Sequence, residues 1–91
     1  MSTILSFNVT YDRDGDVLYL NTRHDDAARG MEDQDGIVWR YDDAGALIGA
    51  TVVGLREQWS EDQSRLASEI SRRFDISGIE ARHLVDSALA M

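Results

Sequence analysis

Tyr11-Asp12-Arg13-Asp14-Gly15-Asp16-Val17-Leu18-Tyr19-Leu20 decides the reading of the fold, and it is echoed thirty residues on by Tyr41-Asp42-Asp43-Ala44-Gly45-Ala46-Leu47-Ile48. Each copy places an aromatic residue and an Asp before a Gly turn, then two adjacent apolar residues. Ahead of the first copy, Leu5, Phe7, Val9 and Tyr11 alternate with Ser6, Asn8, Thr10 and Asp12. That period of two belongs to a half-buried strand. Asp12 to Asp16 is a polar turn with Gly15 available for positive φ, and residues 17–20 form the return strand of a hairpin. Residues 36–41 are the third strand, residues 42–45 the second turn, and residues 46–53 the fourth strand. Two copies are too few for a stacked array, so the echo is a recurring hairpin solution rather than a solenoid.

Outward from the hairpins, residues 23–35 (RHDDAARGMEDQD) have no period and are strongly polar, which predicts a loop. Beyond Trp59 the pattern becomes helical. Ser60-Glu61-Asp62-Gln63 fits a capping box with Ser60 as N-cap, followed by Leu66, Ala67, Ile70 and Phe74 on one face. Asp75-Ile76 breaks the run. Ser77-Gly78-Ile79-Glu80 is a second capping box, and Ala81, Leu84, Val85, Ala88 and Leu89 form the stripe behind it. The expected architecture is α+β: a four-stranded antiparallel β-meander of two hairpins, then two C-terminal α-helices packed on one sheet face. Residues 1–91 make a single domain, with the meander over 1–58 and the helical hairpin over 59–91.

Composition narrows the functions open to this fold. The 91 residues include no Cys and no Pro, and the net charge is -8. A disulfide scaffold, a Cys-based zinc site and a Cys nucleophile are excluded. The acidic balance argues against a dominant nucleic-acid surface, since phosphate binding runs on an Arg/Lys excess. No apolar run approaches the roughly 18 residues of a membrane span. The first ten residues lack the basic flank and apolar stretch of a secretory signal, so the expected location is cytoplasmic. All nine basic residues are Arg, which suits fixed, bidentate contacts at interfaces.

The packing pattern points to self-association. The fourth strand is apolar on both faces, with Leu47 and Val53 on one and Ile48, Ala50 and Val52 on the other. The second strand opposes Val17 and Tyr19 to Leu18 and Leu20. A single antiparallel sheet with one wet face alternates more cleanly. Two helices cover one face, and a second copy of the chain is the simplest cover for the other. A homo-oligomer is therefore expected, with Tyr19, Trp39, Ile48, Val52 and Trp59 as interface residues. Trp39 is read as core or interface packing, and Trp59 as the anchor of the helices on the sheet.

The first hairpin, Tyr11 to Leu20, resembles the opening of domain-of-unknown-function family 2283, whose members begin with Tyr-Asp, a short turn and an Asp-apolar-Leu-Tyr strand. Gly36-Ile37-Val38, Tyr41-Asp42, Gly45 and Leu47-Ile48-Gly49 resemble its second half. The resemblance covers residues 7–55. Ala50 and Thr51 depart from the Glu or Ile-like residues usual there, and the helical tail lies outside it. The resemblance implies a small bacterial or archaeal protein and transfers no catalytic residues.

The chemistry-bearing clusters are weak as sites. Asp12-x-Asp14-Gly15-Asp16 is similar to a calcium loop in its acidic spacing. An EF-hand, however, needs Gly at the sixth position and Glu at the twelfth, where this chain has Val17 and Arg23. His24, Asp25, Asp26, Glu32, Asp33 and Asp35 crowd the long loop without a spacing that fixes a metal geometry, so the acidic loop is read as solvated. No nucleophile elbow or phosphate loop is present. Neither metal nor cofactor is expected, and the chain is not expected to be an enzyme. The favoured function is a small acidic oligomeric protein–protein interaction module. Its acidic surface suits a basic protein partner, of which an antitoxin-like role is one form. The alternative is a weak DNA-binding regulator, with residues 70–84 as a helix-turn-helix and Arg72, Arg73 and Arg82 as DNA contacts. Against it, the tail carries more carboxylates than arginines.

Overall fold

Alternation and turn chemistry build the first hairpin. In the computed structural model, which describes residues 7–22 and 29–91, β1 (Asn8–Asp12) pairs antiparallel with β2 (Val17–Asn21). Asp12 closes the turn by accepting the backbone N–H groups of Asp14 and Gly15. Asp42 does the same for the second copy of the motif, accepting from Ala44 and Ala46 between β4 (Ile37–Tyr41) and β5 (Leu47–Val53). These are Asx turns, in which a short carboxylate stands in for a backbone carbonyl. Leu5 and Ser6 of the expected first strand lie outside the described residues.

Among the described residues the sheet has five strands, not four, and it is not a meander. A further strand, β3 (Arg29–Glu32), pairs antiparallel with β4 inside the segment read as a loop. It is an edge strand whose four residues are all exposed, so no buried face imprints an alternation on its sequence. The strand order is β1-β2-β5-β4-β3. The last strand therefore enters between the two hairpins and pairs with both β2 and β4. The apolar residues of β5 are mostly explained by the covered face: Ala50 and Val52 are core, Leu47 packs against it, and Ile48 is buried at the register shift.

The registers define two faces. On one, Val9, Leu20, Ala50, Trp39 and Met31 form a row across all five strands, and Tyr11, Leu18, Val52 and Ile37 form the next. On the other, the rows are Asn8, Asn21, Gly49, Arg40 and Gly30, then Thr10, Tyr19, Thr51, Val38 and Glu32, with Asp12, Val17 and Val53 beyond. A register shift opposite Arg40 and Tyr41 leaves Ile48 unpaired and sets Leu47 across from Tyr41. This bulge turns Leu47 toward the core, where simple alternation places it with Val53 on the opposite face. Gly49 adjoins the bulge. A Cβ there would lie 2.9 Å from both the Asn21 side-chain oxygen and the Leu20 carbonyl, so only Gly lets β2 and β5 approach.

The first face carries the helices. Tyr11, Leu18, Leu20, Ile37, Trp39, Ala50 and Val52 form one buried cluster with Leu66, Ala67, Ile70 and Phe74 of α1 (Gln63–Phe74) and Ala81, Leu84, Val85 and Ala88 of α2 (Gly78–Leu89). The expected stripe of α1 is buried, and so is that of α2 except for Leu89, which is partly buried against the core. The start of α1 differs: Asp62 is its N-cap, with no side-chain cap bond, and the Gln63 amide donates back to the Ser60 carbonyl. Residues 55–61 are taken up in turns that bury Leu55 and Trp59, so the helix begins after Ser60 rather than on it. The second cap forms as expected, with Ser77 Oγ accepting the Glu80 N–H at 3.1 Å. Ser77→Ala is expected to lower the urea midpoint by an amount equivalent to about 1 kcal/mol. An unchanged midpoint would remove the cap from the account of why α2 starts there.

No helix among the described residues is long and apolar enough to cross a membrane.

Candidate functional site

Two carboxylates stand out electrostatically, and both are committed to backbone. Asp16 sits at φ 57°, in the left-handed region that Asp tolerates better than most residues. Its Oδ1 accepts the Tyr11 hydroxyl at 2.5 Å and the Arg56 N–H at 2.8 Å; its Oδ2 accepts the Glu57 N–H at 3.0 Å. Its carbonyl accepts Gly54 N–H and Leu55 N–H. Asp16 thus joins the first hairpin to the turn that leads into the helices. Burial pushes its carboxyl upward, but the Tyr11 bond, the two amides and the Arg56 charge outweigh this and hold it below the ordinary value. The same bond, with burial, raises the Tyr11 hydroxyl.

Asp33 does the parallel job between β3 and β4. It accepts Trp39 Nε1 at 2.9 Å and the N–H groups of Asp35 and Ile37 at 2.9 and 3.0 Å. Burial pushes it up, and those bonds with the Arg73 charge bring it below the usual range. Perturbed carboxylates can mark active sites. Here the acceptor oxygens hold amides and an indole, which is work done for the fold. Among the described residues no group of three His, Asp or Glu side chains converges to hold a metal, and His24, Asp25 and Asp26 lie outside them.

The expected interface residues divide sharply. Trp39, Val52, Trp59 and Ile48 are all buried within the chain, and the first three belong to the cluster that includes both helices. They are core, because the helices cover the face they occupy. Trp59 does anchor that packing, with Arg65 stacked 4.5 Å over its ring. Tyr19 alone lies on the opposite face, half-buried in the middle of its row.

The three arginines weighed as DNA contacts are engaged elsewhere. Arg72 pairs with Glu69 one turn back. Arg73 lies 4.9 Å over the Trp39 ring. Arg82 bridges the helices, bonding Asp86 on α2 and Gln63 and Ser64 on α1.

The open sheet face is the remaining broad surface. Its centre is Thr51, 9% exposed, with an Oγ1 that has no hydrogen-bond partner among the described residues. Val17, Tyr19 and Val38 around it are half-buried, and Val53 is 50% exposed. None of them joins the core cluster. A cavity of about 290 Å³ opens at one end of this face, with Val38, Val53, Gly36 and Gln58 beside Glu32 and Asp35. Arg40 stands on the same face between two residues without side chains, Gly49 and Gly30. Sequence reasoning passed over Arg40 and took Glu32 only as one carboxylate of a solvated acidic loop. The available signal was a guanidinium set inside an otherwise apolar strand, Ile37-Val38-Trp39-Arg40-Tyr41. A second surface feature is Ile79, 87% exposed on the first turn of α2, beside a cavity of about 400 Å³ lined by Gly78, Arg82, His83 and Asp86.

No curated protein and no solved structure gives a significant match to the chain. A family model does match, over residues 8–55, a span that contains all five strands and both faces of the sheet and leaves out α1 and α2. That model describes proteins of unknown function under the designation DUF2283, and because it accounts for just over half of the 91 residues the chain belongs to that family.

Proposed function

We propose that the chain is a protein–protein interaction module that self-associates through the open face of its sheet. The observation that carries this reading is the set of apolar residues around Thr51 on that face. Positions that an antiparallel sheet facing water fills with polar residues hold Val17, Tyr19, Val38 and Val53. A layer packed on them satisfies the two-layer rule that the helices satisfy on the other side. A second copy supplies that layer with the same patch, as closed dimers do. The chain's charge of -8 makes two copies repel at long range, so added salt should favour association by screening.

The test is light scattering on a sizing column over a dilution series. The native chain is expected to run as a dimer. Tyr19→Asp puts a carboxylate in the middle row without touching the core, and is expected to raise the dissociation constant at least about tenfold, the equivalent of roughly 1.4 kcal/mol. Far-UV circular dichroism should show the same fold in both. A native chain that stays monomeric at every concentration defeats the proposal.

The DNA reading finds less support, because Arg72, Arg73 and Arg82 each have an internal partner.

A further inference from the structure

Arg40 and Glu32 share the open face and are unpaired. Among the described residues, the Arg40 side chain has no hydrogen bond, ion pair or ring contact, and neither has that of Glu32. Arg29, Arg56, Arg65, Arg72, Arg73 and Arg82 have partners inside the chain, and Arg13, likewise without one, stands exposed in the first hairpin turn. Arg40 is also half-buried, so its stem lies along the sheet rather than standing in water. Glu32 borders the cavity floored by Val38 and Val53. Asp35, the other carboxylate at its rim, is already paired with Arg65 at 3.1 Å. The cavity therefore offers an apolar floor for a hydrocarbon stem and one unpaired carboxylate for the charge at its end. An arginine has that shape and chemistry.

We propose that Arg40 of each copy enters the partner copy's cavity and pairs with the partner's Glu32, so that the open face specifies a two-fold dimer by a reciprocal ion pair. The inference rests on the self-association proposed above and adds its specificity. A two-fold interface is isologous: if residue 40 meets the partner's residue 32, residue 32 meets the partner's residue 40. An unpaired cation and an unpaired anion side by side on the open face of each copy are the charge set such an interface needs. Arg is suited to it because its planar fork binds a carboxylate in two parallel bonds. The pair also supplies discrimination, since an apolar patch alone accepts many partners and like charges brought together are strongly rejected.

Reciprocity makes the test specific. Arg40→Glu places two Glu–Glu contacts in its own dimer, and Glu32→Arg places two Arg–Arg contacts. Each variant alone is expected to be monomeric, with the dissociation constant raised more than about 100-fold, as like-charge contacts of several kcal/mol require. Mixed in equal amounts, both contacts become Glu–Arg again. The two variants are expected to form a one-to-one heterodimer within about tenfold of native affinity, seen by light scattering and identified by mass in native mass spectrometry. Circular dichroism of each variant separates loss of pairing from loss of fold, and the double variant Arg40→Glu/Glu32→Arg, which restores the pair within one sequence, provides a second reading. Variants that remain dimeric alone, or that fail to pair when mixed while the native chain is a dimer, overturn the reciprocal pair and leave self-association standing. A monomeric native chain overturns both.

Discussion

Asp16→Ala is expected to cost about 3–4 kcal/mol, combining the loss of hydrogen bonds to a charged acceptor with the strain of Ala in the left-handed region. The reason is the number of groups that depend on one carboxylate. Tyr11 Oη, Arg56 N–H and Glu57 N–H would all lose their acceptor. The turn at residues 54–57 would lose its tie to the hairpin, and with it the placement of Leu55 and Trp59, both core residues. In a domain of this size the melting temperature should fall by roughly 15–25 °C. Asp16→Asn separates the contributions. Asn tolerates the same backbone angles and keeps an acceptor oxygen, so it should lose less than Ala while losing the charge assistance. Differential scanning calorimetry on the three proteins checks the order, and equal melting temperatures for native and Ala forms would remove Asp16 from its role.

The same carboxylates set the acid limit. Asp16 and Asp33 are both held below the ordinary carboxylate value in the folded state. A depressed folded value means that the unfolded chain takes up protons first as pH falls. The stabilisation from both groups is therefore present above the unfolded value of about 3.9, and it is lost as pH falls through their folded values. Tyr11 acts at the other end. Its folded value is raised, so its contribution is present below about pH 10 and is lost as pH rises through the folded value. The bond between Tyr11 and Asp16 needs a protonated phenol and an ionised carboxyl, which is the state between those limits.

What the sequence made legible follows from burial. Alternation in β1, β2 and β4 and the two helical stripes reflect faces packed on one core, and each was readable. β3 was not, because Arg29-Gly30-Met31-Glu32 is exposed along its whole length and carries a Gly, a poor strand former. The position of β5 between two hairpins was hidden for another reason. Pairing order is set by long-range contacts, and the local signal, an apolar strand on both faces, says only that the strand is covered. The face was ambiguous too. Tyr19 and Leu18 are equally apolar candidates, and nothing local decides which set the helices will cover. The expected interface accordingly mixed Tyr19 with the core residues Trp39, Val52 and Trp59. In β2 the opposition of Val17 and Tyr19 to Leu18 and Leu20 holds, whereas in the last strand Leu47 leaves Val53 for the core; Val17, Tyr19 and Val53 are what direct attention to the open face.

Trp39→Ala is expected to have the largest effect on the fold, about 3–5 kcal/mol from the loss of a fully packed aromatic side chain. Trp39 is 1% exposed and meets α1 and the turn at Asp33 from its place in the sheet. Its ring lies 6.1 Å from that of Phe74 at the end of α1, and Phe74 in turn meets Phe7 edge-on at 5.0 Å. Arg73 caps its face, and its Nε1 donates to Asp33. Truncation to Ala opens a cavity under α1 and leaves Asp33 without its indole partner. Trp39→Phe keeps most of the packing and removes only the donor, so its cost should be smaller, about 1–3 kcal/mol for the unmatched acceptor. The Phe variant should also shift the acid transition. With one of the bonds that lower Asp33 gone, its folded value moves back toward the unfolded one, and less stability is lost on acidification. Urea titrations of the three proteins at pH 7 and at about pH 2.5, below the unfolded carboxylate value, measure both effects. If Phe were as damaging as Ala, the hydrogen bond to Asp33 rather than the buried ring would be what Trp39 contributes. If Phe matched the native protein at both pH values, the ring alone would hold α1 to the sheet, and Asp33 would be held below the ordinary value by its two backbone amides and the Arg73 charge alone.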